Sequence, residues 1–341
     1  MEQRVLGKTG RAASIVGLGT WQLGADWGSV TESDALAVLG AAVESGVTFL
    51  DTADVYGDGR SERIIGRFLA GNPGHGIVVA TKMGRRVEQT LENYTLANFR
   101  AWTDRSRVNL GVDRLDLVQL HCPPTPVYYS DAVYDALDTL VAEERIAAYG
   151  VSVETCGQAL AAIAHPGVAT VQIIFNAFRR KPLDQVLPAA AAAGVGISVR
   201  VPLASGLRSG RYTVDTVFAA DDHRNYNRHG EAFDVGETFS GVDYATGVRA
   251  AGEFAAIVAE PGAFGGAGDG TADEPATTAQ AALRWVTQQP GVTTVIPGAR
   301  TPEQARQNAA AAALPPLSAH ALGQIEDLYD TYFRAEIHSR W

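Results

Sequence analysis

The stretch 49-FLDTADVYGDGRSERIIGRFL-69 holds the two signals from which the fold is read. Phe49 and Leu50 end a short apolar run, and an aspartate follows at once. A tyrosine stands at position 56, just ahead of Gly57-Asp58-Gly59. Beyond the glycines, Ile64, Ile65, Phe68 and Leu69 fall at the spacing of one helix face, with Ser61 placed to cap it. A buried strand therefore passes through a tight polar turn straight into an amphipathic helix. Units of that kind, repeated, build a parallel sheet.

The pattern recurs on both sides. Apolar runs occupy Ile15–Leu18, Thr48–Leu50, Ile77–Ala80, Leu115–Leu120, Ala147–Val151, Thr170–Ile174, Ile197–Val201 and Thr293–Ile296, eight in all. They are mostly uninterrupted, as expected of parallel strands covered on both faces. Between them lie helical patterns. Thr31 with Asp34 forms a capping-box signature ahead of Leu36, Leu39 and Val43, and Gly46 stops that helix. Asp131 precedes Val133, Leu137, Leu140 and Val141, and Ser318 opens a last helix carrying Leu322, Ile325 and Leu328.

Eight strands in strict alternation with helices predict a closed (β/α)8 TIM barrel, a single domain over residues 1–341. An open Rossmann-type sheet is the competing architecture. It would want a third glycine after Gly17-Leu18-Gly19-Thr20-Trp21 and a helix directly behind it, and neither is present. Residues 3–14, with a turn at Gly7–Gly10, read as an N-terminal β-hairpin ahead of the barrel. Residues 204–243, containing DDHRNYNRHG, form a long polar insertion loop after strand seven. The glycine-rich and acidic 260–275 reads as a surface connection, and 313–341 as a C-terminal helix and tail.

Composition narrows the function classes. Of 341 residues, 46% are hydrophobic and 19% charged, which is globular. The formal net charge is −10 and no block of Lys or Arg stands out, so no nucleic-acid partner is expected. Two cysteines, Cys122 and Cys156, are too few for a disulfide framework, and MEQRVLGKTGRAAS has no apolar signal region. A cytoplasmic location is expected from both. The alanine runs 189–193 and 309–313 are far short of the roughly 20 residues that span a bilayer, so no membrane partner is expected. The seven histidines show no H-x-H or H-E-x-x-H spacing, so no metal is expected.

A barrel of this kind carries its active site at the C-terminal ends of its strands. That rule selects Asp51 and Tyr56 after strand two, Lys82 at the end of strand three and His121 at the end of strand four. Ser152 follows strand five, Gln172 lies within strand six, and Asn176 follows it. Each has an ordinary structural role open to it: a capping carboxylate, a packing phenol, a surface lysine, a loop histidine. Four such residues on three consecutive strand ends form a constellation.

The motifs DTADVYGDGRSE, ATK at 80–82, LVQLH at 117–121, GVS at 150–152 and VIPGAR at 295–300 resemble the aldo-keto reductase family. GLGTW near the start and VPLASGL at 201–207 fit the same pattern, and the match runs in order from residue 3 to residue 312. The resemblance implies reversible NADP(H)-dependent reduction of an aldehyde or ketone, a sugar or an aryl or aliphatic carbonyl. Asp51, Tyr56, Lys82 and His121 would be the catalytic set. The chemistry agrees: a phenol with a pKa of about 10 is protonated at neutral pH and can give its proton to a carbonyl oxygen. A neighbouring ammonium, Lys82, favours the phenolate left behind, and Asp51 keeps that lysine charged. His121 would hydrogen-bond the substrate carbonyl.

The resemblance also assigns cofactor contacts. Thr20 and Trp21 lie at the first strand end, and Ser152 and Gln172 match residues that hold the nicotinamide carboxamide. Arg200, Pro202, Leu203, Ser205 and Gly206 match the strand-seven end and the loop that meets the pyrophosphate. Gly298, Arg300, Gln304 and Asn308 match the adenosine end. Arg300 suits a 2′-phosphate, because a guanidinium binds phosphate in a bidentate fork, so NADP(H) is favoured and NAD(H) is the alternative. Two positions depart from the family. Val153 replaces a common Asn, and Arg200 replaces an aromatic that stacks on the nicotinamide. A charged Arg200 stacked there would favour binding of the reduced cofactor; an Arg200 that points at a substrate oxygen or at the insertion is the equal alternative.

Trp21, Trp27 and Tyr128 are the expected substrate-pocket residues, with Tyr129, the insertion around His223–His229 and Trp341 as further candidates. A small carbonyl or alcohol is the expected partner, and a homo-oligomer is compatible with the sequence. Two rival functions stand beside this one: a cofactor-binding regulatory protein on the same fold with little turnover, and a Schiff-base enzyme using Lys82. The latter would need that lysine in an apolar pocket with no carboxylate partner.

Overall fold

A computed structural model describes residues 1–24, 30–74, 76–265 and 275–341. Strands β1 (Gln3–Val5) and β2 (Ala12–Ser14) pair antiparallel, with Gln3 opposite Ser14. Eight further strands follow: β3 (Leu18–Gly19), β4 (Phe49–Asp51), β5 (Val78–Met83), β6 (Leu117–His121), β7 (Tyr149–Ser152), β8 (Val168–Ile174), β9 (Gly196–Arg200) and β10 (Thr294–Val295). They lie side by side in chain order, all parallel. Parallel bridges Val16–Val295 and Gly19–Gly298 join the last strand to the first, and the Gly17 N–H donates to the Val295 carbonyl at 2.8 Å. The sheet closes into the (β/α)8 barrel, with a strand in each of the eight apolar runs.

Helices α1 (Glu32–Glu44), α2 (Arg60–Gly71), α3 (Leu96–Leu110), α4 (Asp131–Ala142), α5 (Cys156–Ile163) and α6 (Val186–Ala193) fill the connections from β3 to β9. Between β9 and β10 come α7 (His223–Tyr226), α8 (Tyr244–Ala259) and α9 (Thr278–Thr287). Helices α10 (Pro302–Ala310) and α11 (Ala319–Tyr329) end the barrel. The Thr31–Asp34 capping box forms with both of its hydrogen bonds, and Ser318 caps α11 by accepting from the Ala321 N–H. Ser61 does not cap. Helix α2 begins one residue earlier, behind Gly59 at φ 85°, and the Ser61 hydroxyl instead bonds Thr20 Oγ1 at 2.8 Å and accepts from Thr52 at 2.9 Å. It ties the turn to the end of β3.

Two apolar regions hold the molecule together. The larger lies between sheet and helices, and the smaller fills the lower barrel with Phe49, Val78, Ala80, Leu117, Ala148, Ala169 and Ile296. Leu6 and Ala13 of the hairpin close that lower region from below. Burying a leucine such as Leu6 stabilises by about 1.5–3 kcal/mol. The approach is tight: a Cβ on Gly7, which has φ 52°, would lie 2.0 Å from the Ala169 carbonyl oxygen. The upper layer is polar, with Asp51, Lys82, Gln119, His121, Ser152 and Gln172 all buried.

The 204–243 insertion is more ordered than a polar loop suggests. It contains α7 and short helical turns at Ala204–Ser209, Val235–Glu237 and Phe239–Gly241. The Phe218 ring packs on those of Tyr212, Phe239 and Tyr244, with centroids 5.2, 5.7 and 5.9 Å away, and the Arg224 guanidinium lies over it. Such a loop is held by its own side chains. Most of 260–275 and Trp27 lie outside the described residues. Among the described residues no helix is long and apolar enough to cross a membrane.

Candidate active site

Asp51 ends β4 and pairs in register with Ala80, so Lys82, two residues further along β5, points inward on the same face. The Lys82 ammonium donates to Asp51 Oδ1 at 2.5 Å, to the Thr52 carbonyl at 2.9 Å and to the Tyr56 hydroxyl oxygen at 3.4 Å. Both members of the ion pair are buried. Tyr56 reaches this point because the chain reverses at Gly57. There φ is 57°, and a Cβ would stand 2.1 Å from the Gly24 carbonyl oxygen. The Tyr56 and His121 rings meet edge to face, 5.9 Å between centroids. The second oxygen of Asp51 accepts from Gln172 at 2.7 Å and from Gln119 at 3.3 Å. The sequence reading places Gln119 at the end of strand four without giving it a role, although it stands two residues before His121 and so shares its inward face.

Burial and charge set the protonation states. Burial pushes the Tyr56 phenol above its usual value of 10.0, while the Lys82 charge pulls it back. The lowering that Lys82 exerts is thus present, but desolvation outweighs it. Burial lowers Lys82, yet Asp51 and Tyr56 together more than compensate, and the ammonium is held above its usual value. His121 is driven well below 6.5 by burial and by the nearby Arg85, Lys82 and Arg200, so its ring is neutral. Its Nδ1 is buried with no partner among the described residues. Asp54 has both carboxylate oxygens buried and without a hydrogen-bond partner among the described residues, and burial with Glu62 pushes it up to about 7.

A cavity of about 1020 Å³ opens over these residues. It extends from Asp51, Tyr56 and His121 along Thr20, Trp21, Ser152, Gln172, Arg200, Pro202 and Leu203. It continues past Ser205 and Gly206 to Gly298, Arg300, Gln304 and Asn308. Val201, Ala204, Ser205 and Gly206 have positive φ, a tight turn that puts Ser205 and Gly206 on the cavity wall. At the far end α10 begins. Thr301 caps it, the Gln304 side chain accepts from the Arg300 N–H at 2.8 Å, and Asn308 donates to the Gly298 carbonyl at 3.2 Å. A helix N-terminus favours an anion, and Arg300 lines the cavity beside it. Asn176 braces the chain instead: it donates to the Val201 carbonyl and accepts from the Phe178 N–H.

Of the two placements open to Arg200, the structure has it turned toward the insertion. It donates to Glu154 at 2.9 Å and to the Val153 carbonyl at 3.1 Å, and it pairs closely with Glu237 of the insertion. Two carboxylates offset its charge. Trp21 forms one cavity wall, with its ring 6.3 Å from Tyr56, 5.3 Å from His223 and 5.9 Å from Phe233. Tyr128 is not part of the cavity wall. It is fully buried and its hydroxyl donates to the Ser152 carbonyl at 2.9 Å. Tyr129 is exposed, and Trp341 packs against the insertion.

The family assignment follows from comparison with known proteins. The model of the aldo/keto reductase family matches residues 15–330. The chain belongs to that family, and with it to the NAD(P)H-dependent oxidoreductases. Among curated relatives it is 27% identical over 308 residues to the aldo-keto reductase YhdN of Bacillus subtilis, covering 89% of this chain and 86% of that one. It is 31% identical over 310 residues to the oxidoreductase Rv2298 of Mycobacterium tuberculosis, covering 88% and 84%. Among solved structures it resembles the glycerol dehydrogenase AKR11B4 from Gluconobacter oxydans, with a TM-score of 0.75, 27% identity and coverage of 97% and 95%. An aldo/keto reductase from Klebsiella pneumoniae, in complex with NADP and acetate, has a TM-score of 0.66, 25% identity and 96% coverage of each chain.

Proposed function

We propose that the protein reduces an aldehyde or ketone reversibly with NADPH, and that Tyr56 gives its proton to the carbonyl oxygen. The observation that carries this reading is the chain from the buried Asp51–Lys82 pair to Tyr56, beside a neutral His121 and open to one cavity. Burial keeps the phenol protonated until the substrate oxygen takes the proton. Lys82 stabilises the phenolate that remains, and Asp51 keeps Lys82 charged and aimed. A positioned acid of this kind contributes about 10²–10⁴-fold. His121, being neutral, donates a hydrogen bond to the same oxygen without competing for its proton.

The cavity fits a dinucleotide. The positive-φ turn at Ser205–Gly206 and the start of α10 suit its phosphates, Ser152 and Gln172 suit its carboxamide, and Arg300 suits a 2′-phosphate. When bound, the nicotinamide supplies the hydride. Gln172 donates its amide to Asp51, which leaves its oxygen to accept from the carboxamide. The similarity to a reductase complexed with NADP supports NADP(H) over NAD(H). The Schiff-base alternative is disfavoured by the carboxylate 2.5 Å from Lys82.

The test is consumption of NADPH, and separately NADH, with a panel of sugar, aryl and aliphatic carbonyls. Turnover with at least one class and a preference for NADPH are expected. Tight NADPH binding with no consumption on the whole panel would favour the regulatory reading instead.

A further inference from the structure

We infer that Arg85 is the specificity residue of the cavity, and that the carbonyl substrate it selects carries a carboxylate. This rests on the reduction proposed above and names its substrate class. Arg85 follows β5 three residues after Lys82 and lines the same cavity as Tyr56 and His121. Its Nε donates to the His121 carbonyl at 2.9 Å, which fixes the guanidinium plane beside the histidine that touches the substrate oxygen. Gln89 braces the same segment, donating to the Cys122 carbonyl at 3.2 Å.

The two arginines on this wall share their carboxylates unequally. Arg200 takes Glu154 Oε2 and Glu237. Arg85 has only Glu154 Oε1, at 3.9 Å, beyond hydrogen-bond reach. Its terminal nitrogens therefore hold open donors among the described residues, on a side chain 28% exposed. The same cavity has an aromatic lining of Trp21, Tyr226 and Phe233, whose rings pack on one another. A molecule with an apolar middle, a carbonyl at one end and an anion at the other matches these surfaces. A carboxylate meets a guanidinium fork with two parallel hydrogen bonds. A phosphate dianion would meet stronger repulsion from Glu154, so the monoanion is the fit.

The experiment compares para-carboxybenzaldehyde with its methyl ester, using NADPH, in the wild type, Arg85→Met and Arg85→Lys. The ratio of kcat/KM for acid over ester corrects for intrinsic reactivity and for any general damage to the fold. Arg85→Met is expected to lower that ratio by about 10–100-fold, the scale of hydrogen bonds to a charged group, chiefly through KM. Arg85→Lys is expected to keep part of it, and turnover of the ester to persist in both. A ratio that stays the same across all three proteins, or a wild type that turns over only the ester, overturns the inference alone. A wild type that consumes NADPH with neither aldehyde, nor with any other carbonyl, overturns the reduction reading and the inference together.

Discussion

Lys82 is the residue on which the site depends, because its ammonium reaches three oxygens, two at the end of β4 on Asp51 and Thr52 and one on Tyr56 in the turn beyond. Its charge is buried, so removing either partner of the Lys82–Asp51 pair would leave an uncompensated ion, at a cost of about 3–5 kcal/mol. Tyr56 can be altered more safely. Its folded value lies above the usual 10.0, so the phenol stays protonated through neutral pH and loses its proton only as the pH rises past that value. His121 lies below its usual 6.5, so it stays neutral down to lower pH. The kcat/KM for reduction is therefore expected to be flat through the neutral range and to fall on the alkaline side, above about pH 10. A loss of activity centred near the ordinary histidine value, measured in a buffer series, would contradict this assignment. At this scale the sequence was informative for residues on strand ends and silent on Arg85 and Glu237. Arg85 lies in an irregular segment and Glu237 in a single helical turn, both too short for periodicity to predict which way a side chain points.

Among the elements, the segment from Val235 to Gly241 does the most to shape the upper site. It contributes Glu237 to Arg200, and its Glu237 carbonyl accepts from the Ser205 hydroxyl. Its other side is held by Trp341. That ring is buried, with the Arg179 guanidinium 3.9 Å over it and its Nε1 donating to Asp234 at 3.3 Å. The fit leaves no room, since a Cβ on Gly241 would come within 2.7 Å of the indole. Replacing Trp341 with Ala removes a buried aromatic, typically about 3–5 kcal/mol. The expected outcome is faster proteolysis confined to the insertion, together with weaker NADPH binding measured by fluorescence titration. Unchanged cleavage and unchanged affinity would show that the indole does not hold this segment. Sequence reading found the insertion by its length and polarity. Its short helical turns were not legible, because they are held by contacts such as Trp341 with Asp234, far apart in the chain.

For the whole molecule, the architecture was legible because parallel strands covered on both faces read as bare apolar runs, and all eight became barrel strands. The N-terminal hairpin was equally plain from Gly7 and Gly10, although its role in closing the barrel floor against Ala169 depends on packing alone. Helix α2 shows where the pattern misleads: a serine ahead of an apolar stripe resembles a cap, but Gly59 starts the helix and frees Ser61 to bond β3. Tyr128 failed for a similar reason, since an aromatic after a strand end can turn inward as readily as face a cavity. The barrel brings buried Asp51, Lys82 and His121 and half-buried Tyr56 from three strand ends into one group, and the proposed activity follows from that convergence. Tyr56→Phe tests it most directly, because the ring, its packing and the Lys82–Asp51 pair are retained and only the acidic proton is lost. With a carbonyl the wild type reduces, the variant is expected to lose at least about 10²-fold in kcat while its affinity for NADPH is unchanged. A variant that reduces the carbonyl at the wild-type rate would contradict the account.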